Sequence, residues 1–186
     1  MTRYGLELVT PPVSEPVSLA DMKQHARISR EDEDTTISAF VTAARQYSET
    51  FLRRQLMPAT WRMSLDCFPA EMRLPLPPLQ SVTSITFVDG NGTTQTVASD
   101  TYYVDSTTEP GRIVPVGCWP TARNQPGAVK VTFVAGYDTV PATVTTAIKM
   151  LAAHYYEHRE AVNEGGLTEV PMAVESLLMS EQWGTL

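Results

Sequence analysis

The stretch Ala128-Val-Lys-Val-Thr-Phe-Val-Ala-Gly-Tyr137 reads as a β-strand that runs into a glycine stop. Beyond it, Pro141 suits the first turn of a helix, where a missing amide hydrogen costs nothing. Val144, Ile148, Leu151, Ala152 and Tyr155 then recur at helical spacing. They form the apolar stripe of a helix that continues through Ala152-Ala-His-Tyr-Tyr-Glu-His-Arg-Glu-Ala161. A β region hands the chain to a helical region here, so the fold depends on what lies to either side.

Upstream, from about Ala59, Trp61, Met63, Leu65 and Cys67 alternate with Arg62, Ser64 and Asp66, a period of two with one apolar face. Residues 82–88 are rich in β-branched and aromatic side chains. Asp89-Gly-Asn-Gly92 supplies a hairpin turn, and residues 93–97 return. Shorter candidate strands follow at 102–104, 112–114 and 129–134. The many prolines between 69 and 126 keep such strands short. A small, mostly antiparallel sheet of about five or six strands is expected.

Helical signals lie on both flanks. Ser18-Leu-Ala-Asp21 has the pattern of a capping box, so a short helix is predicted to about Arg27. Ile37, Phe40, Val41, Ala44, Tyr47, Phe51 and Leu52 mark one face of a longer helix. The acidic run Glu31-Asp-Glu-Asp34 at its start and Arg53 and Arg54 at its end complement the helix dipole. That acidic run lacks the glycine and the distal glutamate of an EF-hand loop. Beyond the second helical part, Asn163-Glu-Gly-Gly166 reads as a flexible joint. Pro171 then opens a short amphipathic segment with Val174, Leu177 and Leu178 on one side and Trp183 near its end.

The organisation predicted is therefore α+β: N-terminal and C-terminal helices packed together as a helical core, interrupted by the β insertion. Its parts are an extended proline-rich arm (1–17), helical core (18–57), inserted β subdomain (58–138), helical core (139–162), and a joint with a C-terminal docking segment (163–186). The length of 186 residues supports one core with a satellite layer rather than two full domains.

Composition excludes several functions. A formal charge of −7 with no Lys/Arg run argues against a module that grips nucleic acid. No apolar run approaches a membrane span and no signal-peptide core is found, so the chain is expected to remain in the cytoplasm where it is made. Cys67 and Cys118, far apart and without a second pair, are expected to be free thiols with one or both buried. Nucleophile elbows, phosphate-binding loops and dinucleotide fingerprints are missing. Only His154-Tyr-Tyr-Glu-His158 suggests chemistry, since histidines four apart share a helix face and Glu157 could polarise a zinc-bound water. A third ligand for such a zinc hydrolase would have to come from Glu160, Glu164, Glu169, Glu175 or Glu181 on a short tail. The plainer reading, two surface histidines beside an apolar stripe, is preferred, and neither enzyme activity nor a metal or cofactor is expected.

Five blocks in order carry a resemblance: Glu15-Pro-Val-Ser-Leu-Ala-Asp-Met-Lys23, Pro77-Pro-Leu-Gln-Ser-Val-Thr-Ser-Ile-Thr-Phe-Val-Asp-Gly90, Trp119-Pro120, Val129-Lys-Val-Thr-Phe-Val-Ala-Gly-Tyr137, and the helix around Tyr156, Arg159 and Glu160. From about residue 15 to 180 the chain resembles the tailed-phage head-tail connector (adaptor) family. It departs from the usual pattern at His158, where relatives more often carry Asn. The resemblance implies a structural virion protein in the neck, made in the host cytoplasm. Its copies would form a ring, usually of twelve, beneath the portal and join it to a stopper or tail-completion protein. In relatives the helical part forms the ring and the C-terminal segment docks on the portal. That places the portal contact on Pro171, Val174, Leu177, Leu178 and Trp183. DNA would pass the acidic channel without specific binding, and no membrane is involved.

Overall fold

The computed structural model describes residues 4–158 and 171–182. The chain divides into two compact units. One comprises Met1–Val13 with Met57–Asp138, and the other Ser14–Leu56 with Thr139–Leu186.

The first unit is built of β-strands, with one 3-10 turn at Ser99–Thr101. Its larger sheet has five strands in the order β1 (Tyr4–Thr10), β2 (Ala59–Leu65), β8 (Val129–Ala135), β4 (Leu79–Val88) and β5 (Thr94–Thr96), every ladder antiparallel. The strand that ends at Gly136 is the central one. Val129, Val131, Phe133 and Ala135 are wholly buried on one face, and Lys130 is exposed on the other. Register lines up Met63, Val131 and Ile85 in one row across the sheet and Leu65, Val129 and Phe87 in the next. Such same-face neighbours are what hold a sheet together.

A second sheet of β3 (Met72–Arg73), β7 (Arg112–Pro115) and β6 (Tyr102–Asp105) contributes Met72 and Ile113 to the same hydrophobic core. Phe68 stacks on Trp119 at 4.9 Å and meets Phe87 edge-on at 5.6 Å, packing against that core. Eight strands in two sheets thus stand where a single sheet of five or six was expected. The additions are β1, within the stretch read as an arm, and the two-residue β3. Pro11 and Pro12 do deny the arm a helix, but Tyr4–Thr10 before them pairs along β2.

The hairpin turn forms as predicted. Asp89 accepts from the amides of Asn91 and Thr93, both at 2.9 Å, and Gly92 adopts the positive φ of +85° that closes it. Both thiols are exposed, contrary to the expected burial, because Cys67 follows the end of β2 and Cys118 lies in the loop after β7.

The second unit is all helical: α1 (Leu19–Ala26), α2 (Asp34–Leu52), α3 (Ala142–Glu157) and α4 (Met172–Ser180). Ser18 caps α1 by accepting from the Asp21 amide at 3.1 Å while its hydroxyl donates to the Asp21 carboxylate at 2.7 Å. Within the acidic run, Asp34 takes the Lys23 ammonium at 2.7 Å, tying α1 to the start of α2. Pro141 is the cap of α3 rather than a residue of its first turn. No helix of the described residues is long and apolar enough to cross a membrane.

Candidate interaction surfaces

The residues predicted to build the helical core meet as a packed layer. Ile37, Val41 and Ala44 of α2 and Val144, Ile148 and Leu151 of α3 are buried, and the two helices make the principal helix-helix contact of the unit. Phe40, Tyr47, Phe51 and Tyr155 are half-buried at its margin. There Phe40 faces Tyr155 at 6.3 Å and Tyr47 stacks near Phe51 at 6.2 Å. Burial, then the carboxylate of Glu175, pushes the Tyr47 phenol up; burial, then Tyr47, does the same to Tyr155. Tyr156 donates a short hydrogen bond to Glu33.

The C-terminal segment divides its predicted docking residues. Val174 and Leu178 are wholly buried within the helical unit, because α4 packs on α3 and, to a lesser extent, on α2. Thr143 of α3 donates to Glu181 at 2.5 Å, fixing the end of that helix. Pro171 and Leu177 are half-buried, and Trp183 lies outside the described residues. The outward side carries Met172 and Met179, seven residues apart and therefore on one helical face, 84% and 56% exposed. Those methionines, with Ala173, Ser176 and Ser180 exposed around them, were missed in the sequence. Their spacing was the available signal.

A buried polar network was also missed. Arg45, 6% exposed on α2, donates to Glu15 at 2.7 and 3.3 Å and to Glu49 at 2.6 Å. Thr42 adds a bond to Glu15 at 2.9 Å. Glu49 in turn accepts from the Gln55 amide group at 2.6 Å and the Leu56 backbone amide at 3.0 Å. Burial alone would lower the Arg45 pKa, but Glu15 and Glu49 together raise it. The network joins Glu15, just after the chain enters this unit, to Leu56, where it leaves.

The histidine pair sits at the end of α3 with rings 4.5 Å apart. His158 Nδ1 lies 3.1 Å from the His154 carbonyl oxygen, and Glu157 is exposed. Burial first, then the charge of His158, lowers the His154 pKa. Among the described residues no three His, Cys, Asp or Glu side chains come together as a metal site requires. Glu181 is engaged with Thr143 and Glu175 lies near Tyr47; Glu160, Glu164 and Glu169 lie outside the described residues.

In the β unit, β1 is exposed along its whole length, and a groove of about 510 Å³ opens beside it, lined by Tyr4, Met63, Leu65, Pro69, Met72 and the charged Glu71 and Arg73.

Against known proteins, the family described as HCP, head completion protein, matches residues 15–177. No curated protein matches the chain. Among solved structures, the chain is similar to one in the virion of a native gene transfer agent particle (23% identity, 97% of this chain and 96% of that one, TM-score 0.79). A second lies in the neck of an empty gene transfer agent particle computed with C6 symmetry (23%, 98% and 97%, TM-score 0.80). A third comes from the neck of the native particle computed with C12 symmetry (22%, 98% and 97%, TM-score 0.77). At these identities the likeness is one of fold.

Proposed function

The chain belongs to the head completion protein family, and from that premise we propose that it is a head-tail connector subunit, a structural virion protein and not an enzyme. The observation that carries this reading is the family match across residues 15–177, on a fold shared end to end with chains of particle necks. Copies assemble as a ring, most simply of twelve, between the portal and a stopper or tail-completion protein, after synthesis in the host cytoplasm. The helical unit forms the body of the ring.

Docking on the portal uses α4, with the work divided between its faces. Val174 and Leu178 hold the helix to its own unit. Pro171, Leu177, Met172 and Met179 are left for the partner, with Trp183 beyond them. Methionine suits such a surface because its unbranched, polarizable side chain adapts to irregular partners. The net charge of −7 fits a channel that repels phosphate, so DNA slides without being held.

Native mass spectrometry of the chain mixed with its portal protein tests this reading. A ring or a portal complex is the expected result, and neither species at micromolar concentration overturns it.

A further inference from the structure

Apart from Val13, the exposed large apolar residues of the β unit lie on or beside two separate sheet edges. On the larger sheet, β1 ends the strand order, and its seven residues, Tyr4, Leu6, Leu8 and Val9 among them, are all exposed. Pairing of Tyr4 with Leu65, Leu6 with Met63 and Leu8 with Trp61 puts this row on the face that is core one strand further in. The apolar face therefore runs on past the packed core as an uncovered shelf beside the groove. On the smaller sheet, β6 ends the order, with Tyr103 67% exposed on the face away from Ile113, and Val116 just beyond β7 is 54% exposed.

Unpaired apolar strand edges are templates for another strand, and proteins ordinarily guard them with charge, proline or a bulge. Here the guard is partial: the register of β1 shifts between Leu8 and Thr10 and prolines follow, but among the described residues nothing pairs along the outer edge of Tyr4–Leu8.

Resting on the ring reading above, we propose that these two edges are the halves of one seam between neighbouring copies. The β1 shelf of one copy covers Tyr103 and Val116 of the next. A cyclic ring uses a head-to-tail contact, which needs two different patches on the same chain; a single foreign partner would need only one. Charge also favours a second copy. Chains of net charge −7 repel, so they meet best where charge is cancelled locally. Glu7 of β1 is paired with Arg62 at 3.2 Å, and Asp105 of β6 with Arg112 at 2.9 Å. Size limits the role of this seam. A seven-residue strand is roughly 24 Å long, and at a strand spacing of about 4.8 Å it covers on the order of 115 Å², far below the roughly 800 Å² per partner of a stable complex. The seam does not hold two copies alone and acts in a ring fastened elsewhere.

Cysteine crosslinking in the portal-bound assembly tests the seam, in a Cys67→Ser/Cys118→Ser background because both native thiols are exposed. Chains carrying Leu6→Cys are mixed with chains carrying Tyr103→Cys, assembled on portal protein and treated with a short bismaleimide. A product of twice the chain mass is expected only when both variants are present, and the double variant gives a ladder of higher multiples. Leu8→Cys with Val116→Cys is the second pair. A ring seen by native mass spectrometry with no crosslink from either pair overturns the seam and leaves the ring reading standing. Dimers from Leu6→Cys alone replace it with a two-fold contact. Absence of any ring removes the ring reading and the seam with it.

Discussion

Gly136, which closes the central strand, is the position where one methyl group should cost most. Its φ of +132° belongs to backbone that L-residues rarely adopt, and holding a side chain there costs about 1–3 kcal/mol. A Cβ would also lie 2.6 Å from the carbonyl carbon and oxygen of Met57 and from the nitrogen of Pro58. These are backbone atoms at the entry to β2, so no rotamer change relieves the overlap, and overpacking of this kind adds about 1–3 kcal/mol. The Gly136 amide is further committed to the Pro78 carbonyl at 2.9 Å, which resists movement from the other side. Gly136→Ala is therefore expected to destabilise the β unit by about 3–5 kcal/mol, a large share of the 5–15 kcal/mol typical of a domain. Guanidinium titration followed by the fluorescence of Trp61 and Trp119, in a Trp183→Phe background, reports on that unit. Gly117→Ala, with open space around its Cβ, is the matched control and should shift stability by no more than about 0.5 kcal/mol. A loss below about 1 kcal/mol in Gly136→Ala, or one equal to the control, refutes the close-approach argument.

Arg45→Met removes the guanidinium shared by Glu15 and Glu49 and should cost the helical unit about 2–4 kcal/mol, whereas Glu15→Gln keeps hydrogen-bonding capacity and should cost about 1 kcal/mol. Chemical denaturation followed by helical circular dichroism separates the two. Asp105 is held well below the usual aspartate range by the Thr107 hydroxyl, then the Arg112 guanidinium, with the Thr107 amide and the Thr108 hydroxyl adding to them. Because its folded pKa is depressed, its contribution is present above about pH 4 and fades as pH falls further. The gap in thermal midpoint between Asp105→Asn and the parent chain should therefore narrow on acidification, and a gap constant from pH 7 to pH 2 contradicts the assignment. Leu178→Ala, at a fully buried site, should destabilise by about 2–5 kcal/mol. Met179→Asp should leave stability within about 0.5 kcal/mol while weakening portal binding in a pull-down.

Local pattern made much of this fold legible. The strand before Gly136, the hairpin at Asp89, the Ser18 cap and the stripes of α2 and α3 each state their structure within a few residues. What stayed hidden depends on distant partners. The proline-rich N-terminus drew attention from Tyr4–Thr10, which is a strand only because β2 offers an edge. Two residues of β3 are too short for any periodicity, and sheet membership is decided by pairings such as Met72 with Ile113. Arg45 carried no sign of burial in the sequence, because its partner Glu15 lies thirty residues away.

The C-terminal segment shows why periodicity identifies a face but not its occupant. Val174, Leu177 and Leu178 mark one side of a helix, but that spacing alone leaves two occupants open, a partner surface or the chain's own core, since nothing local says what covers an apolar stripe. In the structure the chain covers Val174 and Leu178 itself. A partner that required those two residues would have to peel α4 from α3 and expose both at about 1.5–3 kcal/mol each, besides breaking the Thr143–Glu181 bond. A partner that takes Met172 and Met179 meets a helix already ordered, so little conformational entropy is lost on docking. On these magnitudes we propose the methionine face as the surface the helix presents, with the buried face keeping that surface in place.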